Sequence, residues 1–194
     1  MPPRPVASLA SLLGGWRSGR GLRARAAAFV ATLQEEPAAE HVDWLATHGT
    51  GGDRDHARWE LRYARRSLGL LTAQHDALDD RTASAVAHVL SSSLGRDPAI
   101  AAGKLRIAER QLNARLAAYG DALANREGAG TGWHLGRALL RFAGRREGAD
   151  PEVVARASEI MAGYLADANA ALREHFGTAS LPEESPPSRA PRPR

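Results

Sequence analysis

The amino-acid sequence predicts an all-α protein: a single domain formed by a bundle of about six to seven helices. Alanine supplies about a fifth of the 194 residues, whereas valine and isoleucine together number ten, and this balance favours helix over sheet. Every proline between residues 6 and 181 follows an acidic residue, at Glu36-Pro37, Asp97-Pro98 and Asp150-Pro151. Proline in the first helical turn loses no hydrogen bond, and a neighbouring acid complements the helix dipole. The three pairs therefore predict three helix starts.

The N-terminal part predicts a basic arm, residues 1–21, in front of the helical domain. Residues 1–34 contain five arginines and no acidic residue. A short amphipathic helix from Val6 to Leu13 is expected to end at Gly14-Gly15, because glycine weakens a helix interior. A second helix is expected from about Leu22 to Gln34.

The helical domain, residues 22–177, contains further helices bounded by capping residues and glycines. The expected spans are 37–48, 54–79, 98–125, 133–143 and 151–176, and one further helix starts at residue 80 or 82 and ends at residue 94. Asp53 precedes the helix at 54–79, and Gly49 and Gly177 follow the helices that end at 48 and 176. Residues 178–194 contain five prolines and no aromatic residue. A segment of this composition buries too little apolar surface to order itself, so it predicts a disordered tail.

Helical periodicity places two apolar stripes on the helix predicted for residues 54–79. One stripe comprises Ala57, Leu61, Ala64, Leu68, Leu71 and His75, and the nearly opposite one comprises Trp59, Tyr63 and Leu70. The helix predicted for residues 98–125 has a similar second face with Ile100, Ile107, Ala114 and Ala118. A helix with two apolar faces lies between two layers of the protein or contacts a partner.

The second stripe of the 54–79 helix gives the main binding hypothesis. Its apolar residues Trp59, Tyr63 and Leu70 are flanked by Arg58, Arg62 and Arg66. Large apolar side chains beside arginine are typical of interface hot spots when the chain leaves them uncovered. The alternative is that the N-terminal segment covers them. The sequence thus favours a non-enzymatic interaction protein, an adaptor or accessory subunit that binds a protein partner or a second copy of itself.

Four histidines suggest an alternative function, the binding of a small ligand or metal. His41 and His48 are seven residues apart on one predicted helix, and His56 forms an i,i+4 pair with Glu60. Imidazole and carboxylate groups bind zinc or iron. His75 lies within an apolar stripe, so we expect a buried core residue there rather than a ligand. The chain lacks the Glu-x-x-His motif of di-iron bundles. Neither a cofactor nor a metal site is predicted.

The arginine content suggests a third function, the binding of nucleic acid through the basic arm and the helix that carries Arg58. The chain has 25 arginines, one lysine and a net charge of +4. This charge is ordinary for a domain of this size. Abundant Gly, Ala, Arg and Pro are typical of a GC-rich, bacterial genome, so the arginine count argues only weakly for phosphate recognition.

Several classes of protein are disfavoured by what the sequence lacks. Without cysteine the chain forms no disulfide and has no thiolate nucleophile. No apolar run is long enough to span a membrane, and the N-terminal run makes a poor signal peptide, so a cytoplasmic location is expected. No Gly-x-Ser-x-Gly or His-Glu-x-x-His motif occurs. The sequence therefore names no reaction and favours a non-enzymatic role.

Overall fold

The computed structural model describes residues 9–77, 79–101, 103–125, 128, 130–145 and 150–177, with side chains from residue 19 onward. Within these residues the chain forms seven α-helices and no strand, so the all-α prediction is confirmed. The helices are α1 (Leu9–Leu33), α2 (Ala39–His48), α3 (Arg54–Asp76), α4 (Asp80–Leu94), α5 (Leu105–Ala124), α6 (Thr131–Phe142) and α7 (Pro151–Phe176). The predicted disordered tail, residues 178–194, lies outside the described residues.

Three helix starts are capped by aspartate side chains, which accept hydrogen bonds from backbone N–H groups of the first turn. Asp53 accepts from His56 at 2.9 Å, Asp79 from Thr82 at 2.7 Å, and Asp150 from Glu152 at 3.0 Å. Pro151 begins α7 as predicted. Such a cap satisfies an otherwise unpaired donor and stabilises a helix by about 1 kcal/mol. The capping residues therefore account for the starts of α3, α4 and α7.

Two predicted boundaries are wrong by more than three residues, whereas the others lie within three residues of the observed helix ends. The helix α1 is continuous from Leu9 to Leu33 and passes through Gly14-Gly15, where a break was expected. Glycine lowers helix stability by about 1 kcal/mol but does not end a helix unless another interaction fixes a non-helical conformation. Residues 9–21 of the predicted arm thus share a helix with the start of the domain. The division of the chain into an arm, residues 1–21, and a domain that follows it stays a prediction.

The second wrong boundary is the start of α5, which begins at Leu105 and not at Pro98. The side chain of Asp97 accepts a hydrogen bond from the N–H of Ala99, as that of Asp150 does from Glu152, so this contact alone does not determine that a helix follows. Gly103 then adopts a φ of +85°, a left-handed conformation that interrupts any helix. Asp97-Pro98 therefore opens a turn rather than a helix.

The helix α3 lies between two apolar cores, as its two stripes predict. Leu61 and Leu68 pack in one core with side chains from α2, α5, α6 and α7. Tyr63 and Leu70 pack in a second core with side chains from α1, α4, α5 and the end of α7. Leu61 and Leu68 are fully buried, and Tyr63 and Leu70 are each 8% exposed. The prediction of a two-faced helix is confirmed for α3.

Helices α6 and α7 pack closely at Gly136. A Cβ atom on Gly136 would lie 2.5 Å from Oγ of Ser158 and 2.8 Å from both the backbone N of Ser158 and the backbone O of Val154. We expect Gly136→Ala to lower the free energy of unfolding by about 1–3 kcal/mol, since the two helix backbones would have to separate. Chemical denaturation measures this loss.

Gly163 of α7 provides the matched control for that substitution. It is also helical, but nothing lies within 4 Å of a Cβ placed there. Gly163→Ala should raise stability by about 0.5–1 kcal/mol through helix propensity alone. Equal effects of the two substitutions would contradict close packing at Gly136.

Candidate partner-binding surfaces

The apolar residues that the sequence assigns to partner binding contact the second core of the chain itself. Tyr63 and Leu70 are buried in that core, and the half-buried Trp59 packs against it. The ring centroids of Trp59 and Tyr63 are 5.5 Å apart, and the guanidinium carbon of Arg62 lies 5.0 Å from the Trp59 ring centroid. A partner would reach Trp59 without rearrangement, but not Tyr63 or Leu70. Partner binding by this set stays a prediction.

The three arginines of the same set are each paired with a carboxylate of the chain. Nη1 of Arg58 donates to Asp55 at 2.7 Å, and Nη2 of Arg66 donates to Asp97 at 2.7 Å. Nη2 of Arg62 donates to Glu36. Each ion pair occupies one nitrogen of its arginine, so none of the three guanidinium groups lacks a carboxylate partner.

The acidic segment before α3 is neutralised in the same way. Besides the pair of Glu36 with Arg62, Glu35 accepts from Arg65 at 2.8 Å, and Asp43 lies 2.5 Å from Arg54. Exposed pairs of this kind contribute about 0–1 kcal/mol each. Glu35, Glu36 and Asp43 thus fasten α2 and its preceding loop to α3.

The sequence did not reveal a buried ion pair between α3 and α5. Nε of Arg115 donates to Oε2 of Glu60 at 2.9 Å, and Nη2 donates to Oε1; the two side chains are 6% and 3% exposed. The guanidinium carbon lies 4.3 Å from the ring centroid of Phe142. Nη1 of Arg115 donates to the carbonyl of Gln111 at 3.1 Å. Two parallel hydrogen bonds to one carboxylate, with an aromatic ring over the guanidinium group, are the arrangement in which arginine–carboxylate pairs are strongest.

The ion pair is surrounded by a buried tyrosine and a partly exposed histidine. The Tyr119 hydroxyl is buried without a partner among the described residues, and burial together with the Glu60 charge raises the pKa of Tyr119 well above its usual value. Tyr119 therefore stays protonated at neutral pH. Nε2 of His56 reaches Glu60 at 3.3 Å from a partly exposed position.

The four histidines of the alternative hypothesis do not form a common site. His48 stacks on Trp44 with ring centroids 5.3 Å apart, and His41 meets Tyr164 edge-on at 6.1 Å. Within the described residues, no group of three or more His, Asp or Glu side chains is arranged to hold a metal ion. His41 and His56 each have a neighbouring glutamate as an ion-pair partner.

The prediction that His75 is a core residue is wrong. His75 is exposed, as are Gln74 and Asp76 beside it in the last turn of α3. Burial on this helix ends at Ala73. The apolar stripe continues to His75 on a helical wheel, but the neighbouring helices do not cover that last turn. His75 lies instead on the wall of an open groove with Asn169 of α7.

The second face of α5 is the apolar surface that the chain leaves open. Ile107 is 47% exposed, and it is the one large apolar side chain that is exposed in the described structure. Ala114 is exposed and Ala118 half-buried, seven and eleven residues further along the same helix face. Ile100 of the predicted face precedes α5 and packs against the second core. For the rest of the face, contact with a partner stays a prediction.

Beyond Ile107, this face forms one side of a groove between α5 and α6. The groove has a volume of about 510 Å³ and contains Ala114, Ala118 and Asp121 of α5 and Arg137 and Arg141 of α6. Both arginines are exposed, and neither is paired with a carboxylate in the described part of the chain. The groove therefore combines an alanine-lined wall with a net positive rim.

Comparison with models of known protein families, with curated proteins and with solved structures finds no match for this chain. Within the described residues, no helix combines the length and the apolar character needed to cross a membrane.

Proposed function

We propose that the protein is a non-enzymatic interaction protein, an adaptor or accessory subunit, and that it binds an acidic amphipathic helix of a protein partner in the α5–α6 groove. The uncovered second face of α5 is the observation that carries this proposal. A 20-residue helix such as α5 is about 30 Å long, so several turns of a bound helix can lie along it. The cytoplasmic location and the origin in a GC-rich bacterial genome remain part of the proposal.

The composition of the groove specifies the partner. Ala114 and Ala118 allow another helix to approach closely, while Ile107 offers a large apolar contact at one end. Arg137 and Arg141 on the opposite wall favour carboxylates on the flank of the bound helix. A second copy of the same face would carry the same net positive charge. Charge complementarity therefore favours a different, acidic partner over self-association.

A pair of synthetic helical peptides tests the proposal. Both carry the same apolar stripe, but one has glutamates and the other lysines on its flanks. Fluorescence anisotropy should show the glutamate peptide binding at least about tenfold more tightly, a difference of about 1.4 kcal/mol. Its affinity should fall as salt is raised, because the contributing charges are exposed.

Two variants locate the binding. Ile107→Asp and the double variant Arg137→Glu, Arg141→Glu should each weaken the glutamate peptide about tenfold or more. Arg156→Glu, an exposed charge reversal on α7, should leave binding unchanged. The proposal fails if both peptides bind equally or if the groove variants bind like the wild type. Tighter binding of a short DNA duplex would favour the nucleic-acid alternative, and a dimer that Ile107→Asp dissociates would replace the partner by a second copy.

A further inference from the structure

A second cavity, separate from the α5–α6 groove, lies between α1, α3 and α4. Its volume is about 520 Å³, within the range of small-molecule sites. The turn at residues 96–99 closes one side. Val30 of α1, Val89 of α4 and Pro98 supply apolar walls. Arg62 and Arg66 of α3 also line it, so part of its lining is cationic.

Arg66 is the most unusual side chain of this cavity. It is 4% exposed, and only its Nη2 has a hydrogen-bond acceptor, a carboxylate oxygen of Asp97. Its Nε and Nη1 are buried and have no partner among the described residues. A guanidinium group offers five N–H donors in a planar fork, and buried donors are normally satisfied. Asp97 therefore satisfies only one nitrogen of the Arg66 guanidinium group, and the other two lack an acceptor in the described part of the chain.

The two carboxylates beside Arg66 are already engaged. Burial alone raises the pKa of Asp97, but hydrogen bonds from Arg66 and from the N–H of Ala99 outweigh it and hold that pKa below its usual value. Glu36 accepts from Arg62. Arg96 donates Nε to the carbonyl of Ser92 at 3.1 Å, and its terminal nitrogens have no acceptor in the described structure. Three arginines thus line the cavity beside two carboxylates that are each paired with an arginine, and the buried groups left without a partner within the described residues are Nε and Nη1 of Arg66.

We propose that this cavity binds a small organic anion whose carboxylate or phosphate group accepts hydrogen bonds from Arg66 and Arg96. The planar forks of arginine match such oxyanions in geometry and charge. Val30, Val89 and Pro98 would contact the apolar part of the same molecule. Arg62 is less available, because it is paired with Glu36 and stacked on Trp59. The site is independent of the proposed helix-binding groove.

The Nε–H resonances of arginine side chains in ¹H–¹⁵N NMR spectra report on this site directly. Inorganic phosphate, acetate and phenyl phosphate are added in turn, with sodium chloride at the same ionic strength as the control. The Arg66 resonance, identified by its loss in Arg66→Lys, should shift and saturate with the oxyanions but not with chloride. The anion that binds with the higher affinity, phosphate or acetate, identifies the head group that the site prefers. A higher affinity for phenyl phosphate than for phosphate shows that the apolar walls contribute to binding.

A substitution on the exposed side of the cavity keeps the test independent of folding. Arg96→Gln alters an exposed residue and should weaken oxyanion binding by at least about threefold, whereas Arg156→Gln on α7 should not. The proposal is overturned if the Arg66 resonance does not respond, if chloride shifts it equally, or if Arg96→Gln binds like the wild type. Loss of peptide binding at the α5–α6 groove would leave this result unaffected.

Discussion

Replacing Arg115 by methionine is expected to lower the free energy of unfolding by about 3–5 kcal/mol. The substitution preserves most of the side-chain length but leaves the carboxylate of Glu60 buried without its bidentate partner. A buried, unpaired charge is among the most destabilising features a single substitution creates. Urea denaturation followed by circular dichroism measures the loss, with the midpoint and slope reported together.

Two further variants separate the ion pair from the loss of a large side chain. The double variant Glu60→Met, Arg115→Met removes both charges and should recover most of the stability, because an apolar pair avoids desolvating two ions. Arg156→Met removes the exposed partner of Glu159 and should change stability by no more than about 0.5 kcal/mol. If Arg115→Met costs less than about 1 kcal/mol, solvent reaches Glu60 and the pair is not sealed.

The contrast between Pro151 and Pro98 shows why local sequence predicts some helix boundaries and not others. Both follow an aspartate, and Asp150 caps α7 as expected. Asp97 accepts a similar local hydrogen bond from Ala99, but its second carboxylate oxygen binds Arg66, a residue 31 positions earlier in α3. That contact depends on how α3 meets the turn before α5, which the dipeptide does not encode. The same limit applies to α1, where no local signal determined whether Gly14-Gly15 would end the helix.

Periodicity predicted the apolar faces but not what covers them. The stripes of α3 led to two cores, whereas the equally clear second face of α5 remains open at Ile107. The stripe that ends at His75 runs past the helices that would bury it. The buried ion pair did leave a signal, because Arg115 lies between Leu112 and Tyr119, which are both buried on the same helix. A charge within an apolar stripe indicates a buried partner, but the sequence does not identify that partner as Glu60.

The double variant Trp59→Ala, Tyr63→Ala is expected to lose on the order of 4 kcal/mol of unfolding free energy. Tyr63 is 8% exposed within the second core, and Trp59 packs against the same core and stacks on Tyr63. Truncating a buried aromatic side chain typically costs about 3–5 kcal/mol, and the half-buried Trp59 adds less. Because the two rings touch, their single losses should not simply add. Denaturation of both single variants and the double variant measures the coupling.

Ile107→Ala supplies the apolar control, since Ile107 is exposed in the chain and its truncation should cost no more than about 0.5 kcal/mol. The two substitutions together distinguish an internal core from a binding surface. If the stripe of α3 serves the fold, the aromatic double variant unfolds easily, whereas Ile107→Ala stays stable and weakens binding of the glutamate peptide. If Trp59 and Tyr63 instead contact a partner, their double variant keeps near-native stability and loses assembly. That outcome would assign the partner-binding site to the α3 surface, as the sequence analysis predicted, and not to the α5–α6 groove.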